Sequence, residues 1–177
     1  MKDISFITDR DIYTEMILRE VPDTKEFLWL ATSHIKDLYI SKNGKMAPFL
    51  ELLSDLALNG VSIRLIHARE PGPTFRKDFD RYPVLIDGME RLMCPRAHVK
   101  YIVIDGRIAF AGSANLTGAG VGAKSGNRRN FESGFITRDK KIVGQIMDHF
   151  DGIWMGSHCR DCGRREYCSD HVDMMGD

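Results

Sequence analysis

The sequence predicts an α/β fold: a mixed β-sheet sandwiched by helices, with a short C-terminal metal-binding tail. Three observations carry this. Helical and strand-like apolar patterns alternate along the chain. The charged residues, though balanced overall, crowd into one segment. Three of the four cysteines sit close to the C-terminus. At 177 residues with 43% hydrophobic content, the chain suits a single domain with a core that needs no disulfide staples. The division expected is one α/β domain over 1–156 and a cysteine-rich tail over 157–177.

The elements follow in order. Asp9 or Asp11 can cap a helix running to about Glu20, with Ile12, Tyr13, Met16 and Ile17 at helical spacing, and Pro22-Asp23 ends it. Residues 26–32, with Phe27, Leu28, Trp29 and Leu30, read as a buried strand. A second helix over 48–58 places Phe49, Leu52, Leu53 and Leu56 on one face and stops at Asn59-Gly60. Val61, Ile63 and Leu65 share one side of a strand over 61–67. A turn at 70–73 leads to a short helix over 74–81. Strands over 99–104 and 107–111 are joined by Asp105-Gly106, a hairpin dipeptide. The glycine-rich stretch 118–130 is a loop, 131–137 a last strand, and 140–154 a last helix. Trp29, Trp154, Tyr101 and Phe110 are expected in packing.

Lys plus Arg and Asp plus Glu each number 25, which excludes a generally basic coat protein or an acidic disordered tail. No apolar run is long enough to span a membrane. The N-terminus lacks the apolar core of a secretion signal, so a reducing, cytoplasmic setting is expected. Residues 91–129 hold seven cations, among them Arg91, Arg96, Lys100, Lys124, Arg128 and Arg129, against the lone acid Asp105. That segment is therefore +6 and the remainder −6.

Inside it stand His98, Lys100, Asp105, Gly112, Ser113 and Asn115, with Asn130 and Glu132 beyond. Strand geometry sends His98 and Lys100 to one face. An imidazole, an ammonium, an amide, a hydroxyl and a carboxylate can then line one pocket, an inventory suited to a phosphodiester. The spacing His-x-Lys-x4-Asp-x6-Gly-Ser-x-Asn resembles the signature of the phospholipase D superfamily without a departure, and Asn130-x-Glu132 resembles its usual continuation.

The resemblance implies roles by position. His98 would be the nucleophile or the acid, Lys100 and Asn115 would hold phosphate oxygens, and Ser113 would assist. Glu132 would orient the imidazole, and Asp105 would support the motif near the turn. Catalysis would need no metal. One imidazole cannot easily serve both sides of an in-line displacement, so a homodimer sharing two His98 is expected. Short single-motif members resemble nucleases, and Arg96, Lys124, Arg128 and Arg129 would contact a DNA or RNA backbone. A phospholipase or other phosphodiester transferase, and a non-catalytic nucleic-acid-binding module, are the alternatives.

Cys159-x2-Cys162-x5-Cys168 matches the ligand spacing of a structural zinc site, and reduced thiols favour metal over disulfides. Cys94 is the expected fourth ligand, with His171 or His158 as alternatives and an iron–sulfur cluster possible. Arg160, Arg164 and Arg165, between the cysteines, could add a phosphate contact. His34 and His67 end two core strands, where pocket edges often form.

Overall fold

The computed structural model describes residues 3–36, 38–42 and 44–172. The last residues of the expected tail, 173–177, lie outside them. A seven-stranded mixed sheet organises the domain. Its strands, in chain order, are β1 (Ile4–Thr8), β2 (Phe27–Thr32), β6 (Ser62–His67), β7 (Met89–Met93), β8 (Tyr101–Ile104), β9 (Ile108–Gly112) and β11 (Ser133–Thr137). In space they run β1-β11-β9-β8-β2-β6-β7. The pairs β2–β6 and β6–β7 are parallel, and all others antiparallel. Two small pairings flank the sheet: β3 (Ile35–Lys36) with β10 (Leu116–Thr117), and β4 (Tyr39–Lys42) with β5 (Lys45–Pro48).

Alternation along the central strands builds a core on each face. Leu28, Leu30, Ile63 and Leu65 pack with the helix Ile12–Glu20 and with α1 (Phe49–Leu58). Trp29, Ala31, Ile66 and Val103 turn the other way, onto Val143, Ile146 and Phe150 of α4 (Lys140–Trp154). The first helix is wound with π-type turns but keeps Ile12, Tyr13, Met16 and Ile17 buried, as its spacing predicts. Asp139 caps α4, accepting the Lys141 and Ile142 N–H groups at 2.9 Å. Trp29 stacks on Phe150 at 4.9 Å between ring centres.

Several expectations shift. The helix predicted over 74–81 is α2 (Pro73–Phe79), and a short α3 (Val84–Gly88) precedes β7. The last strand starts at Ser133 rather than 131, which leaves Phe131 ahead of it and 97% exposed. The hairpin turn holds as predicted, with Asp105 at φ 51° and Gly106 at φ 62°. Positive φ at both central positions matches the right-handed strand twist.

Candidate active site

His98 and Lys100 lie just ahead of β8 rather than within it, although the Lys100 carbonyl still accepts the Gly112 N–H of β9 at 3.3 Å. They nevertheless meet. Lys100 is 5% exposed, and its ammonium donates to the His98 carbonyl at 2.6 Å and stands 3.2 Å from Nδ1 of the exposed imidazole. Burial lowers the Lys100 pKa, and the Glu132 carboxylate opposes that shift.

Ser113 ends the turn out of β9 and Glu132 the approach to β11, because those strands pair Gly112 with Gly134. The Ser113 hydroxyl donates to Glu132 Oε2, and Asn130 Nδ2 donates to Oε1 at 3.0 Å. The carboxylate is thus held by Ser113 and Asn130, where the sequence reading expected it against the imidazole. Asn115 is fixed through its carbonyl oxygen, which accepts the Ser33 and His34 N–H groups at 3.1 and 3.2 Å. Those donors assign the amide orientation and leave the NH2 group free to donate toward the groove that Asn115 lines.

Asp105 is elsewhere. It lies at the far end of β8, its side chain 2% exposed, accepting the Lys25, Glu26 and Phe27 N–H groups and the Arg107 guanidinium. Its place is in the scaffold, at the hairpin turn, away from the pocket.

A groove of about 850 Å³ opens over His98 and Asn115. Ser33 and His34 line it, and so do the cations Arg69, Arg96 and Arg164. Arg96 was expected there. Lys124, Arg128 and Arg129 are not among its lining residues; they sit on the loop leading to Asn130, which buried Val121 anchors. Arg69 was not foreseen, since it follows β6 about thirty residues upstream of the motif. Burial first, then Arg69, Lys36, Lys100 and His98, lower the His34 pKa and favour its neutral form. His67 is buried instead, with Nδ1 2.9 Å from the Arg69 carbonyl.

Behind His98 lies a second cavity of about 230 Å³, lined by Cys94, Cys159, Cys162 and Cys168, all free thiols. Burial, with Cys94 and Cys159 nearby, raises the Cys168 pKa. A hydrogen bond from the Arg164 backbone, with Arg96, lowers that of Cys162. Among the described residues, no group of three or more His, Cys, Asp or Glu is drawn together tightly enough to hold a metal ion as it stands. No described helix is long and apolar enough to cross a membrane.

A family model described as cardiolipin synthase, PLD-like domain, matches residues 17–154. Mitochondrial cardiolipin hydrolase of Chlamydomonas reinhardtii is 27% identical over 105 residues, covering 59% of this chain and 44% of that protein. The chain therefore spans less than half the length of that curated relative. NucT from Helicobacter pylori superposes with a TM-score of 0.63 at 15% identity, over 86% of this chain and 95% of that one. Nuc from Salmonella typhimurium, a phospholipase D family member, gives 0.64 at 13%, over 86% and 93%. At such identities the structural matches speak for the fold. The family match takes in the whole His98-to-Glu132 constellation and stops at Trp154, short of the cysteine tail. On that match and those site residues, the chain belongs to the phospholipase D superfamily.

Proposed function

We propose that the chain is a phosphodiesterase and, within that class, a metal-independent endonuclease acting on DNA or RNA through a phosphohistidine at His98. The observation that carries this reading is the groove: its floor holds His98 and Asn115, and its charged lining is Arg69, Arg96 and Arg164. Guanidinium groups suit a phosphate backbone better than acyl chains. The fold shared with NucT and Nuc, over most of this chain and nearly all of theirs, is consistent with it.

In this reading an imidazole nitrogen of His98 attacks phosphorus as the bond to the leaving oxygen breaks. The Asn115 NH2 and the Lys100 ammonium neutralise the non-bridging oxygens, and Glu132, steadied by Ser113 and Asn130, keeps Lys100 charged. The partner's His98 protonates the leaving oxygen. It then takes a proton from the water that attacks phosphohistidine, which frees His98 and a phosphate monoester. A homodimer with two apposed grooves is therefore part of the proposal. Asp105 is assigned no chemical step.

A lipid phosphodiester is the second reading, favoured by the cardiolipin hydrolase relative and by Phe131, an almost fully exposed apolar ring beside Glu132. Purified protein in EDTA is offered single- and double-stranded DNA and RNA and, separately, cardiolipin vesicles. Nucleic acid cut by wild type and spared by His98→Ala is expected. Hydrolysis of vesicles alone would establish the lipid reading, and tight nucleic-acid binding without cleavage a binding module. A stable monomer of full activity in sedimentation would remove the dimer.

A further inference from the structure

The chain beyond α4 poses a stability problem. From Ser157 to Val172 no described residue is buried, and the regular structure there is one short 3-10 turn, Arg165–Tyr167. Yet the segment is folded onto the domain. Asp170 Oδ2 accepts the Met93 N–H at 2.7 Å, Arg164 donates to the Pro95 carbonyl at 3.0 Å, and the Cys168 thiol reaches the Met93 carbonyl at 3.4 Å. The chain also folds back on itself at Gly156, whose φ is +72°. A Cβ there would fall 2.7 Å from Val172 Cβ and 3.2 Å from Cys159 Sγ. A few solvent-facing hydrogen bonds do not offset the entropy lost in ordering so many residues. A segment without an apolar core of its own needs a cross-link.

The four thiols stand where one is needed. Cys94 follows β7, and its carbonyl accepts the Ala97 N–H at 2.8 Å in the turn that delivers His98. Cys159 and Cys162 close a turn of their own, Cys162 N–H to Cys159 O at 3.2 Å, and Cys168 lies between the tail and β7. All four line the cavity behind His98, and none is in a disulfide. His158 and His171 also border that cavity; the His171 Nε2 lies 3.3 Å from the Arg165 guanidinium, so that ring would meet a metal through Nδ1 or by giving up this contact, whereas the four thiols need no such exchange.

The cavity and the groove share a wall. Pro95, Arg96, Ala97 and His98 line both, so whatever fixes Cys94 also fixes the strip that carries the histidine. On the groove side the tail contributes Arg164 and Tyr167, the latter 67% exposed. Both lie beyond the residues that the family match covers.

We infer that Cys94, Cys159, Cys162 and Cys168 bind one zinc ion, and that this clasp makes the tail a wall of the substrate groove. As they stand the thiols are not drawn together tightly enough to hold an ion, so binding would require them to give up their protons and move closer as four thiolate ligands. The held tail then presents the Arg164 guanidinium to a backbone phosphate and the Tyr167 ring to a base or sugar face. The groove half of this inference rests on the nucleic-acid reading; the zinc half does not.

The test begins with metal content by elemental mass spectrometry on protein purified without added metal. One zinc per chain is expected, lost in Cys94→Ser and Cys162→Ser and kept in His171→Ala. Hydrogen exchange shows whether those variants remain folded: amides of 157–172 should exchange faster while those of β2 and β8 stay protected. Wild type stripped with a zinc chelator should do the same. Oligonucleotide affinity is read by fluorescence anisotropy in the uncleaving His98→Ala background, where Arg164→Ala and Tyr167→Ala should each weaken binding about fivefold without loss of zinc. A zinc-free protein with a protected tail, iron in place of zinc, disulfides in place of thiols, or zinc retained in Cys94→Ser would overturn the clasp. Unchanged affinity in both tail variants would overturn the groove wall. Zinc bound by a wild type that cleaves no nucleic acid would refute the nuclease reading and leave the clasp standing.

Discussion

Asp9 grips the backbone of Glu132 from both sides: its N–H donates to the Glu132 carbonyl, and its Oδ1 accepts the Glu132 N–H, each at 2.9 Å. Asp9 holds φ at +48° to do so, a region where Asp is one of the few tolerated non-glycine residues. Gly122 makes room for it, since a Cβ there would lie 2.5 Å from the Asp9 carbonyl. The bond between β1 and β11 thus ends on the carboxylate that faces Ser113.

This clamp predicts a positioning role. Asp9→Ala loses the side-chain bond and strains the left-handed backbone, so Glu132 drifts from Ser113 and Lys100. A fall in kcat on the order of tenfold is expected, with KM little changed. Asp9→Asn keeps both the acceptor and the tolerance for positive φ, and should restore most of the rate. If the two variants lose stability and activity in step, the clamp is merely structural.

Lys100 links pH to both activity and stability. Its buried ammonium has a pKa below the ordinary 10.5, so the charge is lost at lower pH than in a free lysine. The alkaline limb of cleavage should lie below 10.5 and move upward in Lys100→Arg, which stays charged. Because the folded pKa is the lower one, the unfolded chain binds more protons between the two values, and stability rises with pH across that window. Lys100→Met removes the buried charge. It should abolish cleavage while adding about 1 kcal/mol of stability at neutral pH, read by urea unfolding.

Glycine at the crossing of β9 and β11 is a steric requirement. Gly112 and Gly134 face each other in register, and a Cβ on Gly134 would lie 2.6 Å from the Ala111 carbonyl and 2.6 Å from the Phe110 ring. The Phe110 ring is fully buried and has nowhere to retreat. Gly134→Ala should therefore cost about 2–3 kcal/mol by overpacking. It should also dislodge Ser113, whose hydroxyl accepts the neighbouring Ser133 N–H at 3.1 Å. Thermal unfolding beside a cleavage assay separates the two effects.

The parts of this molecule that could be read from sequence are those whose signal is local. β2 and β6 are apolar because both faces are covered, and α1 and α4 show their buried stripe at helical spacing. The His98-to-Asn115 constellation lies within one hairpin. β1 and β7 were missed because an edge strand with one thin buried side shows no clear alternation: in β1 Ile7 is buried while Ile4 and Phe6 are exposed. Asp9 and Arg69 reach the site only through the fold, from elements far apart in the chain, while His34 and Arg164, legible as a strand-end histidine and a cationic tail residue, line the groove as their positions suggest. Lys124, Arg128 and Arg129 illustrate the converse, being near the motif in sequence and off the groove in space.

Asp105 belongs to the signature yet acts at a distance from the chemistry, which its pH dependence exposes. Burial favours its neutral form, but the Arg107 guanidinium and the Glu26, Phe27 and Lys25 N–H groups outweigh burial and hold the pKa below 3.8. A carboxylate with a depressed folded pKa contributes its full stability above the unfolded value and loses it as pH falls through the folded one. Asp105→Ala leaves three backbone donors at the start of β2 without their acceptor and should cost about 3 kcal/mol at pH 7. Urea unfolding of wild type and variant should then converge as pH drops below 3.8, because acid removes from the wild type what the substitution has already removed. Since β2 pairs β8 directly and leads to Thr32, Ser33 and His34 around Asn115, the variant should lose activity only at temperatures where it begins to unfold. A kcat lowered well beneath the melting range would instead give Asp105 a part in the reaction.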